Sequence, residues 1–284
     1  MAFYSGTVTG AYNLLNIIKT QAVANGWTLL RGTTTELILY SDGMGGEDNI
    51  YIGFQLFTNG DGVNMRLSSF TGYANTGTFA EQPNYTANVF LYLHSGDEPY
   101  WLNITKKRIC GAVKIYEPLD DLQKNPVYQI FHNGWLDAYG APQHLPAPYA
   151  LVGGGNTSTL RWSSVNTDLP ARPIVFTPFP RWVKGMSLVQ GFTNTMPYAA
   201  DPEGNLFAMP VTIYTNYTNA TDPYSGTTNV TERCLIGEYD GLIKVLATGG
   251  IKSEDTVTID SVDYIVIQNG LKTEYQEYFA IRKA

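Results

Sequence analysis

A chain of 284 residues with 44% hydrophobic content is long enough to bury sizeable cores and is not a disordered polymer. Only 15% of residues are charged, against roughly a quarter in ordinary domains, and 20 Tyr and 28 Gly sit among many Asn and Thr; such neutral surfaces suit packing against other subunits. A formal charge of −7, with no basic run longer than Lys106–Arg108, argues against nucleic acid as a partner, and no stretch approaches the ~20 apolar residues of a membrane span.

The opening residues, MAFYSGTVTG, lack a basic segment followed by an apolar one, so the chain is expected to stay in the cytoplasm where it is made. Thr9 is a candidate N-cap. Leu14, Leu15, Ile18 and Ala22 then share one face of an amphipathic helix that Asn25-Gly26 terminates. Its polar side is hardly basic, so it reads as a cover for a sheet rather than a membrane-surface helix. Strand signals follow at Thr28–Leu30, Glu36–Tyr40, Ile50–Phe57, Met65–Phe70 and Asn88–His94. Within Ile50–Phe57, Ile50, Ile52, Phe54 and Leu56 face one way and Tyr51, Gly53, Gln55 and Phe57 the other.

Tyr100–Tyr116 reads as two antiparallel strands joined by a basic turn. Ile109, Gly111, Val113 and Ile115 alternate with Arg108, Cys110, Ala112 and Lys114, the period of a strand buried on one face. On this reading Trp101 packs or lies at an interface, the turn Lys106, Lys107 and Arg108 is exposed, and Trp135 is a further candidate interface or packing residue. Leu119–Gln123 reads as a short helix. The prolines at 142, 146 and 148 predict an irregular, aromatic-rich excursion up to Tyr149.

The glycines at 153–155 mark a break, which divides the chain into residues 1–150, a helix plus antiparallel sheet, and residues 151–284, a loop-rich β part. In the second part, short strands are expected at Ile174–Phe176, Ser187–Val189 and Val211–Tyr214. A regular ending comprises Gly241–Ala247, a hairpin of Thr256–Ile259 with Asp263–Gln268, and Tyr278–Arg282. The fold class is mainly β or α+β, with antiparallel sheets and one N-terminal amphipathic helix packed on a sheet.

Chemical motifs are sparse. His94, His132 and His144 have no metal-site spacing, and Cys110 and Cys234 carry no catalytic signature; two cysteines fit a reduced setting better than a disulfide framework. Gly153–Ser158 lacks the lysine of a phosphate loop, and Asp42, Glu47 and Asp48 depart from a calcium-loop pattern. Asp97 with Glu98, and Glu117 with Asp120 and Asp121, are the carboxylate pairs a glycan-degrading enzyme would draw on. No catalytic, cofactor-binding or metal-ligating residue is assigned, and no cofactor is expected.

Three segments together resemble the tail-associated virion structural proteins of tailed bacteriophages. The first is Asn49–Phe54, after a helix ending in Gly26-Trp27. The second is Tyr100-Trp101-Leu102 with Arg108-Ile109 and Val113-Lys114-Ile115, continued by Pro146–Gly154. The third is Gly237–Gly241, the hairpin through Tyr264–Asn269, and Tyr278–Arg282. The resemblance implies a non-enzymatic part of a phage tail, made in the host bacterial cytoplasm and located in the virion, at the baseplate or tip of a contractile tail. It also implies symmetric copies in contact with one another and with tube, sheath or baseplate neighbours, through contacts that close into rings. The alternative is a module binding a host glycan or receptor, drawn from Trp101, Trp135, Trp162 and Trp182.

Overall fold

The computed structural model describes residues 1–59, 62–86, 89–93, 96–115, 127–141, 144–145, 147–153, 174–176, 182–187, 207–220, 230–246, 250–268 and 278–283. Strand β1 (Ala2–Thr9) leads into α1 (Ala11–Ala24). β2 (Thr28–Gly32), β3 (Glu36–Ser41), β4 (Ile50–Asn59), β5 (Gly62–Phe70) and β6 (Phe90–Leu93) form a five-stranded antiparallel sheet in that order. β7 (Asp97–Ile104), β8 (Arg108–Ile115), β9 (Val127–Trp135) and β11 (Tyr149–Val152) join β1 in a second sheet, with the two-residue β10 (Asp137–Ala138) off its path. That sheet continues through β12 (Ile174–Phe176), β13 (Trp182–Ser187), β14 (Phe207–Ala220) and β15 (Val230–Leu246). It ends with β18 (Tyr278–Arg282), β17 (Val262–Gln268) and β16 (Thr256–Ile259).

The helix forms where the spacing predicts, with Ala11, Leu14, Leu15, Ile18 and Ala22 buried. Burying each of its larger apolar side chains contributes about 1.5–3 kcal/mol. Its N-cap is Gly10 rather than Thr9, and no side chain caps it. The Thr9 hydroxyl, 2.6 Å from Asp97 Oδ1, is instead engaged across the β1–β7 pair. At the other end Gly26 adopts φ +88°, the left-handed conformation a helix stop requires. The indole N–H of Trp27 then donates to the Thr105 carbonyl (2.8 Å), fixing the helix exit to the β7–β8 turn.

Two large cores lie on opposite faces of the β7–β8–β9–β11 layer. Ile109, Val113, Val127, Phe131, Tyr149 and Leu151 face the helix and the five-stranded sheet. Their alternate neighbours Cys110, Ala112, Tyr128, Ile130, Ala150 and Val152 face Val211, Ile236, Leu242, Ile267 and Phe279 of the C-terminal strands. The architecture is therefore mostly antiparallel β in three layers, with the second layer buried on both sides. Strands on either side of Gly153 share this sheet, since Ala150 pairs with Val175 and Leu151 with Ile174.

Two expectations change here. β8 is buried on both faces, not one, so Arg108 and Cys110 are as inaccessible as Ile109. Within the expected irregular excursion, Val127–Trp135 is a nine-residue central strand. Its text does not alternate because both faces are covered, and Gln129, His132 and Asn133 are buried with the rest. The Leu119–Gln123 expectation lies outside the described residues. No helix among the described residues is long and apolar enough to cross a membrane.

Candidate functional site

The densest polar constellation among the described residues is buried between the second and third layers, around Arg108. Arg108 begins β8 on the face turned to the C-terminal strands, and its side chain is 0% exposed. Its Nη2 lies 3.0 Å from Asp240 Oδ2 on β15, and Nη1 donates to the Asn103 carbonyl (2.8 Å) and to the Asn103 side-chain oxygen. The Nη2 contact is an ion contact and not an aligned hydrogen bond, since neither Nη2 nor Nε finds a hydrogen-bond acceptor. Asn103 in turn donates to the Arg282 carbonyl at the end of β18 (2.6 Å). One guanidinium thus ties β7, β8 and β15, and its partner amide extends the tie to β18.

Room for that guanidinium comes from Gly241, which sits at φ +73° in the middle of β15. A Cβ there would lie 2.2 Å from Arg108 Nη2. The Asp-Gly pair at 240–241 reads as a turn signal, but here it bends a long strand around a buried charge.

Cys110 and His132 face each other across β8 and β9 on the same side of the sheet. Burial pushes the Cys110 thiol up to about 11, against the opposing pull of Arg108. Burial, reinforced by the Arg108 charge, holds the His132 imidazole down at about 3. His132 Nδ1 is 2.8 Å from the Ala150 carbonyl, which only accepts, so Nδ1 carries the proton. The ring packs at a tilt against Tyr239, centroids 4.8 Å apart, and Nε2 has no hydrogen-bond partner. A neutral thiol beside a neutral imidazole supplies no thiolate nucleophile at neutral pH. The chemistry available here is cross-linking of layers by charge and hydrogen bonds.

A second tie involves Lys114 on β8, whose ammonium contacts Glu254 Oε1 at 2.5 Å. Tyr128 on β9 donates to the same oxygen (2.6 Å). Burial raises the Glu254 carboxyl, but the bonds from Lys114 and Tyr128 outweigh it and leave the group below its ordinary value. The Tyr128 hydroxyl is pushed up to about 12 by burial and by that carboxylate.

The residues singled out in the sequence divide between core and surface. Trp101 is 8% exposed and packs against Tyr128, ring centroids 6.1 Å apart. Trp135 is partly buried, edge-on to Tyr149 at 6.0 Å. Lys106 and Lys107 occupy the β7–β8 turn and reach Asp42 (3.0 Å) and Asp137 (2.9 Å), whereas Arg108 is in the core and not in an exposed turn. Sequence reasoning assigned no role to Asp240, Asn103, His132 or Tyr149. The available signal was a cation on a strand that needed a carboxylate, which alternation alone cannot locate.

No group of three or more His, Cys, Asp or Glu side chains that could hold a metal converges among the described residues. A surface groove of about 480 Å³ runs between α1 and the β2–β3 turn, lined by Tyr12, Leu15, Asn16, Lys19, Thr33 and Glu36. It brings together no nucleophile with a base.

No family model matches the chain, and no curated protein matches it.

Proposed function

We propose that this chain is a non-enzymatic structural component of a bacteriophage tail, in the baseplate or tail-tip region of a contractile tail, present in symmetric copies. The observation that carries the reading is that the three segments resembling tail proteins meet in space. Tyr149 of the second segment accepts a hydrogen bond from the Tyr51 amide (2.8 Å) and donates to the Asn49 carbonyl (3.3 Å), both in the first segment. Arg108 of the second segment pairs with Asp240 of the third. Residues scattered over most of the chain therefore make one connected scaffold, which is what a resemblance in scaffold motifs calls for.

The physical character of that scaffold supports the same reading. A tail part works outside the cell without turnover, so resistance to local opening matters more than a reactive group. A layer buried on both faces and laced by ionic contacts resists opening, because separating the layers exposes two cores and a charge together. The glycan-binding alternative gains nothing from Trp101 and Trp135, whose rings are engaged in packing. Trp162 and the Trp182 side chain lie outside the described residues.

Mass spectrometry of purified virions from the phage encoding this chain tests the proposal. The expected result is stoichiometric recovery with the tail fraction. Absence of the chain from intact particles overturns it.

A further inference from the structure

Among the described residues the two sheets end, along their main order, in four strands, with the two-residue β10 a short pairing off it, and three of the four are guarded against pairing with another chain. β2 carries Arg31 and a bulge between Leu29 and Arg31. β6 has four residues, all buried. β16 also has four, with Glu254 and Asp255 before it, Asp260 after it, and the Lys283 ammonium 3.2 Å from the Thr256 hydroxyl. Short length, charge and bulges are the usual devices that stop an open edge from acting as a template.

β1 carries none of these devices in its own sequence, although the Lys283 ammonium also stands 6.0 Å from the Phe3 ring at its start. Its eight residues, AFYSGTVT, include no charge and no proline, and they pair with β7 in unbroken register. Ser5, Gly6 and Thr7 are exposed, and among the described residues no strand lies beyond β1. We propose that β1 is a self-association strand, through which two copies of this chain pair antiparallel about a two-fold axis at Gly6.

The register follows from the sequence of the strand. Even-numbered residues face the first core, where Val8 is buried and Tyr4 packs, while Phe3 packs against the second core. A pairing that keeps like faces together joins residues of the same parity. With Gly6 on the axis, Tyr4 meets Val8 of the other copy, and Ser5 meets Thr7. These are an aromatic–β-branched pair and a hydroxyl pair, both favourable cross-strand combinations. A partner of different sequence would be selected by charge or by side-chain pockets, whereas the uncharged residues of β1 are complementary to themselves. The contact is isologous, unlike the ring-closing contacts implied by the family resemblance.

This inference adds a two-fold contact to the symmetric copies of the reading above without depending on the virion, and its test is independent of particles. Ser5→Cys and Thr7→Cys variants are purified separately, mixed in equal amounts and mildly oxidised. The expected result is a disulfide-linked dimer in the mixture, well above the level in either variant alone or in the parent chain. Two Ser5 positions in this register stand beyond the roughly 7 Å between Cα atoms that a disulfide spans. In parallel, the Ser5→Lys/Thr7→Lys double variant should retain its circular dichroism while the mass from sedimentation equilibrium halves. A parent chain that remains monomeric at about 1–100 µM, cross-linking that is equal in the mixture and the single variants, or a dimer that survives the lysine pair overturns the proposal. Pairing in this register by a chain absent from virions would sink the tail reading and leave this one standing.

Discussion

The five-stranded sheet and the layer beside it are built from similar antiparallel strands, yet their side chains do different work. In β4 the core face, Ile50, Ile52, Phe54 and Leu56, is at most 3% exposed, while Tyr51, Gln55 and Phe57 opposite are only half-buried. Polar groups there can turn toward water. In β9 every residue from Val127 to Gly134 is buried, so its polar side chains must find partners in neighbouring layers. Gln129 accepts from the Tyr92 amide (2.9 Å) and donates to the Tyr92 carbonyl, and Asn133 donates to the Gly53 carbonyl (3.0 Å) while accepting from Ser69 (3.0 Å). The difference teaches that a polar residue of β9 is a cross-tie between layers, whereas one on the outer face of β4 keeps access to water.

The contrast is sharpest at Lys107 and Arg108, adjacent cations in opposite environments. Removing the carboxylate that faces Arg108 should have the largest effect on stability. Asp240→Ala leaves a buried guanidinium without its counter-charge and should cost about 3–5 kcal/mol in denaturant unfolding. Combining Arg108→Met with Asp240→Leu should recover most of that loss, because no charge is then left buried. If Asp240→Ala costs less than about 1 kcal/mol, on the scale of a surface ion pair, the two layers are not locked by this pair.

A smaller effect, of opposite chemical origin, is expected at His132. Its imidazole titrates near 6.5 when unfolded and at about 3 in the folded chain, so the unfolded chain binds the proton first as pH falls. The stability this buried neutral ring allows is complete above pH ~6.5 and lost progressively below it, by about 2 kcal/mol at pH 5. Unfolding free energies measured from pH 7 to pH 5 should show that slope, and His132→Asn should flatten it. An unchanged slope in the variant would place the pH dependence elsewhere.

The smallest effect is expected at the exposed end of the comparison. Lys107 and Asp137 pair across solvent-accessible side chains, 32% and 55% exposed. Lys107→Glu should therefore shift stability by no more than about 1 kcal/mol in the same unfolding assay. Unfolding of the isolated chain by this substitution would mean that the β7–β8 turn is wrongly placed.

Apolar periodicity and turn residues made several elements readable, even where the outer face is buried too, as at Ile38 of β3 and Phe70 of β5. The helix, β3, β4, β5 and the β16–β17 hairpin were all found near their observed limits from periodicity and turn residues. The hairpin turn at Asp260-Ser261, with φ of 49° and 65°, is of the kind an Asp at that position predicts. β9 was hidden because burial on both faces removes alternation, and β14 and β15 were found only as fragments. Their bulges, at Pro210/Thr212 and Ile213/Tyr214, and the left-handed Gly241 interrupt the period of two. The Arg108–Asp240 pair joins residues 132 positions apart, a distance that no local pattern spans.

By itself, then, the sequence determined the fold class, the helix with its glycine stop, and the strands marked by alternation and turn residues. Propensity, turn chemistry and one-sided burial act between near neighbours along the chain. Only the tertiary structure decided that Tyr100–Ile104 and Arg108–Ile115 are covered on both faces, that Arg108 parts company with Lys106 and Lys107 to enter the core, and that β1 is the outermost strand of its sheet among the described residues. Each of these depends on what packs against a strand from a distant part of the chain. Lys106, Lys107 and Arg108 each meet a carboxylate from elsewhere in the chain, and what sets Arg108 apart is that the C-terminal strands pack over it.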